Sequence, residues 1–176
     1  MARYIAVAIA LSILEMVTCT VRFSNLSYEL NPEYIKGTIN VKIDKEVYSI
    51  GLNADVLKRI DGMFWVMPVF SKKIKDSYVP LVDLKLDTCK TDPTLVENPV
   101  IRLIAAEAKK FVSFGLMCPY EPGHYTVNDF TIDNNNAMMN FIPKGSYHVS
   151  INTHHQSFGS NDLNKVMSLS FYADFE

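Results

Sequence analysis

The strictest constraint on this chain is an alternation of polar and apolar residues that returns in several segments. From Ile35 to Asp44, every second residue is apolar or glycine and the residues between are polar or charged. The same pattern recurs over 82–87, 147–154 and 167–175, and a short apolar run covers 63–67. Successive side chains of a strand point to opposite faces, so this period of two predicts strands with one covered face.

Two weaker segments extend the predicted set of strands. Residues 46–52 repeat the alternation less clearly, and the short Asp44-Lys45 junction predicts a hairpin with the strand before it. Residues 125–132 give a further weak strand, and Asp61-Gly62 is a turn signal.

One segment departs from this alternation and predicts a helix over about 98–114. Asn98 is a favourable N-cap, Pro99 suits the first helical position, and Gly115 provides a stop. The apolar residues that recur at helical spacing are Val100, Ile101, Ile104, Ala105, Ala108, Phe111 and Val112. Short strands with one inserted helix predict a mainly β fold, an antiparallel two-sheet sandwich.

The N-terminus has the pattern of a secretory signal peptide. Arg3 supplies positive charge, Ile5–Leu14 is apolar with a single interruption, and small residues precede a cleavage position near Cys19. The run is too short to cross a bilayer, which needs about 20 apolar residues. We therefore expect residues 1–19 to be removed and residues 20–176 to form one secreted, extracellular domain without stable membrane insertion.

The cysteines fit an exported domain. Removal of the signal takes away Cys19, the odd one of three cysteines, and leaves Cys89 and Cys118 to form a disulfide. The alternative is two buried free thiols in a cytosolic domain, which the signal peptide disfavours. The sequence Asn25-Leu26-Ser27 is a glycosylation acceptor, and we expect glycan on Asn25 if that segment is exposed.

Charge and motif content argue against several classes of function. The net charge of −2 comes from interspersed residues, and no basic patch suggests nucleic acid as a partner. His148 and His154 share a polar face but lie roughly 20 Å apart along a strand, and His155 points to the opposite face. We therefore expect surface histidines, with no metal site and no cofactor. A G-x-S-x-G elbow is absent; a pair of catalytic carboxylates stays open, but nothing singles one out, and we expect no enzyme.

The large apolar residues allow two interpretations. They could form a plain packed core, which is what such residues usually do, or they could line a ligand cavity. The residues concerned are Phe64, Trp65, Met67, Phe70, Phe111, Phe114, Met117, Phe130, Met138, Met139 and Phe141. Composition by itself does not decide between the two.

An ordered series of short motifs resembles a known family. The motifs are Asp61-Gly62-Met63-Phe64, Asp87-Thr88-Cys89-Lys90, Asn98-Pro99, Cys118-Pro119-Tyr120 with Gly123 and Tyr125, Pro143-Lys144-Gly145-Ser146-Tyr147, and the strand Leu169 to Phe175. In this order they are similar to the insect-expanded branch of secreted proteins related to the ML lipid-recognition domains. That branch includes the chemosensory CheA and CheB groups, and the wider superfamily includes the ganglioside activator and the Niemann–Pick type C sterol carrier. Two departures are Asp61, where the family usually has asparagine, and the single available disulfide.

The resemblance implies an immunoglobulin-like sandwich whose sheets part to admit a lipid. The expected partner is then a lipid or other hydrophobic small molecule, such as a cuticular hydrocarbon, a fatty-acid derivative or a sterol, with a chemosensory or reproductive role in an insect. The inward strand faces give the pocket candidates Phe64, Trp65, Leu84, Leu86, Phe130, Phe141, Val149 and Ile151. The alternative is a secreted interaction module with a filled core that acts through its surface on a receptor or partner. A cavity below about 300 Å³ would favour that alternative, because ligand pockets usually exceed this size.

Overall fold

The computed structural model describes residues 21–44, 47–131 and 142–175. The predicted signal peptide and Phe141 lie outside these ranges. The strands are β1 Val21–Leu30, β2 Ile35–Asp44, β3 Val47–Val56, β4 Met63–Ile74, β5 Ser77–Asp83, β6 Leu86–Asp87, β7 Gly123–Phe130, β8 Gly145–Gln156 and β9 Asn164–Phe175. A short 3₁₀ helix covers Pro93–Leu95, and helix α1 covers Pro99–Ala108.

The strands form two antiparallel sheets that face each other. The larger sheet has the order β1-β9-β8-β4-β5, with β6 paired to β4 beyond the end of β5, and the smaller sheet has the order β2-β3-β7. The predicted mainly β, two-sheet antiparallel sandwich with one inserted helix is therefore confirmed. The predicted hairpin is confirmed too, since β2 and β3 pair along their whole length with Asp44 opposite Val47.

The alternation in the sequence becomes an inner and an outer face of each sheet. On β2, Ile35 and Ile39 are buried, whereas Lys36 and Asn40 are exposed. On β9, Phe171, Ala173 and Phe175 are all buried. The period of two thus determines which side chains enter the space between the sheets.

Strand β4 is longer than the apolar run that predicted it, because it continues through Pro68 to Ile74. The carbonyl oxygen of Pro68 accepts from the Leu84 amide at 3.2 Å, so the proline nitrogen faces the same side. On that side the partner strand is interrupted between β5 and β6. Proline has no backbone N–H to donate, and it is tolerated at this position because the hydrogen-bond ladder between the strands is already interrupted there. The same break divides the predicted strand over 82–87.

Helix α1 begins as predicted and ends earlier than predicted. The side chain of Asn98 accepts from the Ile101 amide at 3.2 Å, which is the expected N-cap. The helix ends at Ala108, not near residue 114, because the next residues pair with the edge of β7. Asn128 donates its amide to the Phe111 carbonyl at 2.8 Å, and the Ser113 amide donates to Thr126 at 3.0 Å. The free edge of β7 competes for backbone groups that the helical pattern would have used.

The buried side chains form two clusters at different levels of the sandwich. The first contains Val21, Phe23, Tyr147, Val149, Phe171, Ala173 and Phe175. The second contains Tyr34, Ile35, Ala54, Val56, Ile60, Phe64 and Val166. We call the level of the second cluster the filled end of the sandwich.

Candidate ligand cavity

A cavity of about 410 Å³ lies between the sheets, beside the first core cluster. The larger sheet contributes Phe23, Phe70, Leu81, Val82, Tyr147, Val149, Ile151, Met167, Leu169, Phe171, Ala173 and Phe175. The smaller sheet contributes Ile39, Ile50, Leu52, Val127 and Phe130, and the segments outside the sheets contribute Ile104, Ala108, Val112, Ile142 and Pro143. The volume exceeds the 300 Å³ or so that marks the lower end of ligand pockets.

The described lining is apolar except for the hydroxyl group of Tyr147. That hydroxyl donates to the Pro143 carbonyl oxygen at 2.5 Å. Burial raises the pKa of Tyr147, so the phenol stays neutral at physiological pH. The described side chains therefore offer a bound molecule apolar contact and no unused hydrogen-bonding group inside the cavity.

Helix α1 and the residues that follow it close one side of the cavity. Ile104 and Ala108 lie four residues apart and so occupy the same face of the helix, which is the face that lines the cavity. Val112 also lines it, and this residue forms an isolated antiparallel bridge with Val127 on β7. The helix and the residues after it thus line the cavity together with β5 of the larger sheet and β7 of the smaller sheet.

The predicted disulfide between Cys89 and Cys118 is present and encloses this helical segment in a covalent loop. Cys89 follows β6, and the Cys118 amide donates to the Thr88 carbonyl oxygen at 3.3 Å. The two ends of the helical segment are therefore held at the same point of the sandwich. This arrangement restricts how far α1 can move from the cavity.

Asp87 organises the chain immediately before the disulfide. Its Oδ1 atom accepts from the Phe64 amide at 3.3 Å and from the Cys89 amide at 3.1 Å. Its Oδ2 atom lies 3.4 Å from the Lys90 amino group. The Thr88 amide donates to the Phe64 carbonyl oxygen at 2.9 Å, which joins the same two segments. The Asp87-Thr88-Cys89-Lys90 motif therefore holds neighbouring backbone segments together, largely through the Asp87 carboxylate, and none of its residues lines the cavity.

Two other motifs contain tyrosines that hold a loop against the strand it enters. Tyr147 donates to the carbonyl oxygen four residues before it, as described, and Tyr125 does the same to Glu121 at 2.7 Å. Tyr120 repeats the contact with Leu116 at 2.9 Å. This is the geometry of a tyrosine corner, in which a phenol bonds to upstream backbone at the edge of a β-sandwich. It gives the Pro143–Tyr147 and Cys118–Tyr125 motifs a structural role.

Three of the eight predicted pocket residues line the cavity: Phe130, Val149 and Ile151. Phe141 lies outside the described residues. Phe64 faces inward but belongs to the filled end, where its ring packs against Tyr120 with the ring centroids 5.5 Å apart. The alternation locates the inner face of a strand, but it does not show which stretch of that face is packed.

The other three predicted pocket residues lie away from the cavity. Trp65 is next to Phe64 and so points outward, with the Lys85 amino group 4.2 Å from its ring centroid. Leu84 occupies the break between β5 and β6, and Leu86 lies opposite Val66, which packs on the second core cluster. For these three residues, as for Phe64, the prediction that they line the cavity was wrong.

Several cavity residues were missed although a signal for them existed. Ile39 and Leu52 face each other across β2 and β3, and Leu169 and Phe171 lie on the inner face of β9. Each belongs to an alternating segment that predicted a covered face. Only the pairing of the two sheets shows which of these faces meet around empty space.

The histidines partly contradict the expectation of surface positions. His155 is only 2% exposed and faces inward opposite Phe64 on β4. Its Nε2 atom donates to the Asp61 carbonyl oxygen at 2.7 Å, which satisfies one polar atom of the buried ring. His148 contacts Ser170 on the outer face, with Nε2 and Oγ 2.8 Å apart. Within the described ranges, no three histidine, cysteine or acidic side chains lie close enough to hold a metal ion.

Asn25 lies at an exposed position, which is what the expected glycosylation requires. It is exposed on the edge strand β1, at an irregularity in the pairing of β1 with β9 between Ser24 and Ser27. Its φ angle of 51° marks a local bulge.

No helix in the part of the chain that the structure covers is long and apolar enough to cross a membrane.

Part of the chain matches a known protein-family model. Residues 66–149 match a family model described as a protein of unknown function (DUF1091). The matched segment runs from β4 into β8 and includes both disulfide cysteines and α1, although it covers slightly less than half of the chain. No curated protein matches the chain. The segment of this chain that resembles that family is therefore the one that carries the disulfide and the helical cover of the cavity.

Proposed function

We propose that this chain is a secreted, non-enzymatic protein that holds one lipid or other hydrophobic molecule between its two sheets. The observation that carries the proposal is the cavity of about 410 Å³ with an almost wholly apolar lining. A space of this size inside a domain of this length departs from ordinary close packing, in which voids larger than a water molecule are few. An apolar ligand in the cavity would make dispersion contacts with the lining side chains and would bury its own apolar surface, and both effects favour binding.

Export of the protein is part of the same proposal. Three features support it: the signal-like segment 1–19, the disulfide, and the exposed sequon at Asn25. Disulfides persist mainly in oxidising compartments. We further propose kinship with the insect secreted proteins related to the ML domain, which is consistent with the two-sheet sandwich and the DUF1091 match. A chemosensory or reproductive role belongs to this kinship and is equally a proposal.

The experiment is a ligand-capture measurement on the exported protein. We would express the full chain in insect cells, collect it from the medium and examine it by native mass spectrometry for co-purifying lipid. Nile red, a neutral apolar dye, would report binding after delipidation. Recovery of a bound apolar molecule or saturable binding of the dye supports the proposal. A protein that carries nothing and does not bind the dye overturns it.

A pair of variants locates the binding. Ile151 points into the cavity, and its neighbour Asn152 does not line it. Ile151→Trp should fill part of the cavity and weaken dye binding at least about tenfold, because a bulky ring removes space that the ligand would use. Asn152→Trp adds the same ring to the outer face and should leave dye binding unchanged. Equal effects of the two substitutions would place the dye elsewhere.

The second candidate function is a secreted interaction module that acts through its surface. The observation that favours it is Phe158, which is 81% exposed in the turn after β8, with the half-exposed Leu163 in the same loop. Exposed large apolar residues of this kind are found at interaction sites. Phe158→Ser would weaken binding to a receptor in this case and leave dye binding intact, which separates the two functions.

A further inference from the structure

Lys72 occupies an unusual position for a lysine in this sandwich. On β4 it lies opposite Tyr147 of β8, and residues paired in this way share a face of the sheet. Tyr147 lines the cavity, and the Lys72 amino group lies 5.7 Å from the centroid of its ring. Lys72 is therefore on the inner face, next to one end of the cavity.

The side chain of Lys72 passes close to Gly145. A Cβ atom on Gly145 would come within 3.1 Å of the Lys72 Cε atom, so the stem passes directly over that glycine. Gly145 has a φ angle of 138°, which side-chain-bearing residues rarely adopt. A residue without a side chain at this point keeps room for Lys72 beside the cavity.

The charge of Lys72 is not neutralised by any described residue. No carboxylate in the described ranges lies within 4.0 Å of its amino group, which lies over the Tyr147 ring instead. Five other lysines do have a carboxylate partner, namely Lys42, Lys58, Lys90, Lys110 and Lys165. Lys72 is also half-buried. An anion beside its ammonium group would supply the opposite charge that the described residues do not.

The cavity is long, and Lys72 lies near one of its ends. Lining residues extend along β9 from Met167 to Phe175, which corresponds to about 26 Å of strand. Gly145 lies opposite Phe175, so the amino group of Lys72 is at the Phe175 end. The volume of about 410 Å³ lies low in the range of ligand pockets, which suits one extended chain better than several.

We infer that the cavity takes an anionic amphiphile with a single apolar chain, whose head group pairs with the ammonium group of Lys72. The inference rests on the proposed function and specifies the ligand class of the same site. The head group is expected to be an oxyanion, and both a carboxylate and a phosphate monoester have this chemistry. A charge-assisted hydrogen bond of this kind is stronger than one between neutral groups.

The test compares ligands that differ only in their head groups. Competition against Nile red would be measured with palmitic acid, methyl palmitate and palmitoyl lysophosphatidic acid on the delipidated full chain. We expect at least one of the two anions to bind about tenfold more tightly than the ester. The stronger of the two anions identifies the head group as a carboxylate or a phosphate.

Lys72→Met should remove this preference, since methionine keeps an unbranched apolar stem without the charge. Lys73→Met is the matched control, because Lys73 is exposed and adjacent in sequence but on the other face. Anion affinity should fall about tenfold in the first variant and stay unchanged in the second, with ester affinity equal in both. Circular dichroism would confirm that both variants are folded.

Two results would overturn the inference, and they are distinguishable from failure of the proposed function. Equal affinity of the wild-type chain for acid, ester and phosphate refutes the role of the anion while hydrophobic binding stands. Unchanged anion preference in Lys72→Met refutes the role of this lysine. If neither dye nor any palmitoyl compound binds, the proposed function fails as well.

Discussion

Val112 and Val127 form an antiparallel bridge, and the side chains of both line the cavity. The bridge joins the chain after α1 to the edge of β7. Together with the disulfide, it anchors the helical cover at two points. Access to the cavity on this side therefore depends on a few backbone hydrogen bonds as well as on a covalent bond.

Substitution of Ser113 tests this anchoring. Ser113→Pro removes the amide that donates to Thr126, and we expect the free energy of unfolding to fall by about 1–3 kcal/mol. Dissociation of Nile red, measured by stopped flow, should become faster because α1 is less firmly held. Ser113→Ala keeps the amide and loses only hydroxyl contacts, so its effects should be smaller. Equal dissociation rates in both variants would show that the bridge does not control access.

Removal of the disulfide should weaken the fold more than any single hydrogen bond. Replacing Cys89 and Cys118 together by alanine should lower the free energy of unfolding by about 3.5 kcal/mol, because the unfolded chain is no longer constrained across 29 positions. Urea denaturation followed by tryptophan fluorescence measures the change. A loss well under about 1 kcal/mol would mean that the bond adds little to the packing around it.

Asp87 should be important for stability although it lies outside the cavity. Asp87→Ala leaves the Phe64 and Cys89 amides without their acceptor, and we expect a loss of about 2–4 kcal/mol in urea denaturation. Asp87→Asn retains an oxygen at the same position and should lose less than half as much. A similar loss in both variants would show that the charge, through Lys90, is more important than the two hydrogen bonds.

Two of the three tyrosine corners, Tyr147 and Tyr125, make a matched pair for measurement. Tyr147→Phe removes a hydrogen bond beside the cavity and should cost about 1 kcal/mol of unfolding free energy. Tyr125→Phe removes the same contact at an exposed position and should cost less, since water can replace the lost partner. Thermal and urea denaturation of both variants give the comparison. A larger loss for Tyr125→Phe would contradict this explanation.

His154 should make stability depend on pH in the mildly acidic range. Its ring is half-buried, and Nδ1 is buried without a hydrogen-bond partner among the described residues. Burial lowers the pKa of His154, and the nearby Lys165 and Lys85 lower it further. The unfolded chain therefore takes up this proton more readily, with a pKa of about 6.5. The stability contribution is present at neutral pH and is lost as the pH falls through 6.5 towards the folded pKa.

Two measurements check the His154 prediction. NMR titration of the ring protons should give a pKa below the ordinary value, and Lys85→Met should raise it by removing one of the repelling charges. Urea midpoints at neutral and mildly acidic pH should differ less in His154→Gln than in the wild-type chain. An NMR pKa at or above the ordinary value would contradict the prediction.

Much of the fold could be predicted from the sequence because the signals are local. The alternation on β2 and β9 requires only that successive side chains of a strand point to opposite sides. Asn98 and Pro99 mark the start of α1 through the chemistry of helix N-termini. The pairing of Cys89 with Cys118 followed from counting cysteines in a chain that the sequence led us to expect to be exported. Each of these needs no knowledge of what lies across the sandwich.

The sequence by itself thus determined most of the strands with their inner faces, the start of the helix and the disulfide, whereas β1 and most of β5 were not predicted. The tertiary structure alone decided that α1 ends at Ala108, because the end depends on the free edge of β7. It also decided that Phe64 is packed while Ile151 borders open space, although both face inward. The physical reason is that the alternation assigns a side chain to a face, whereas a cavity depends on how two distant faces fit together.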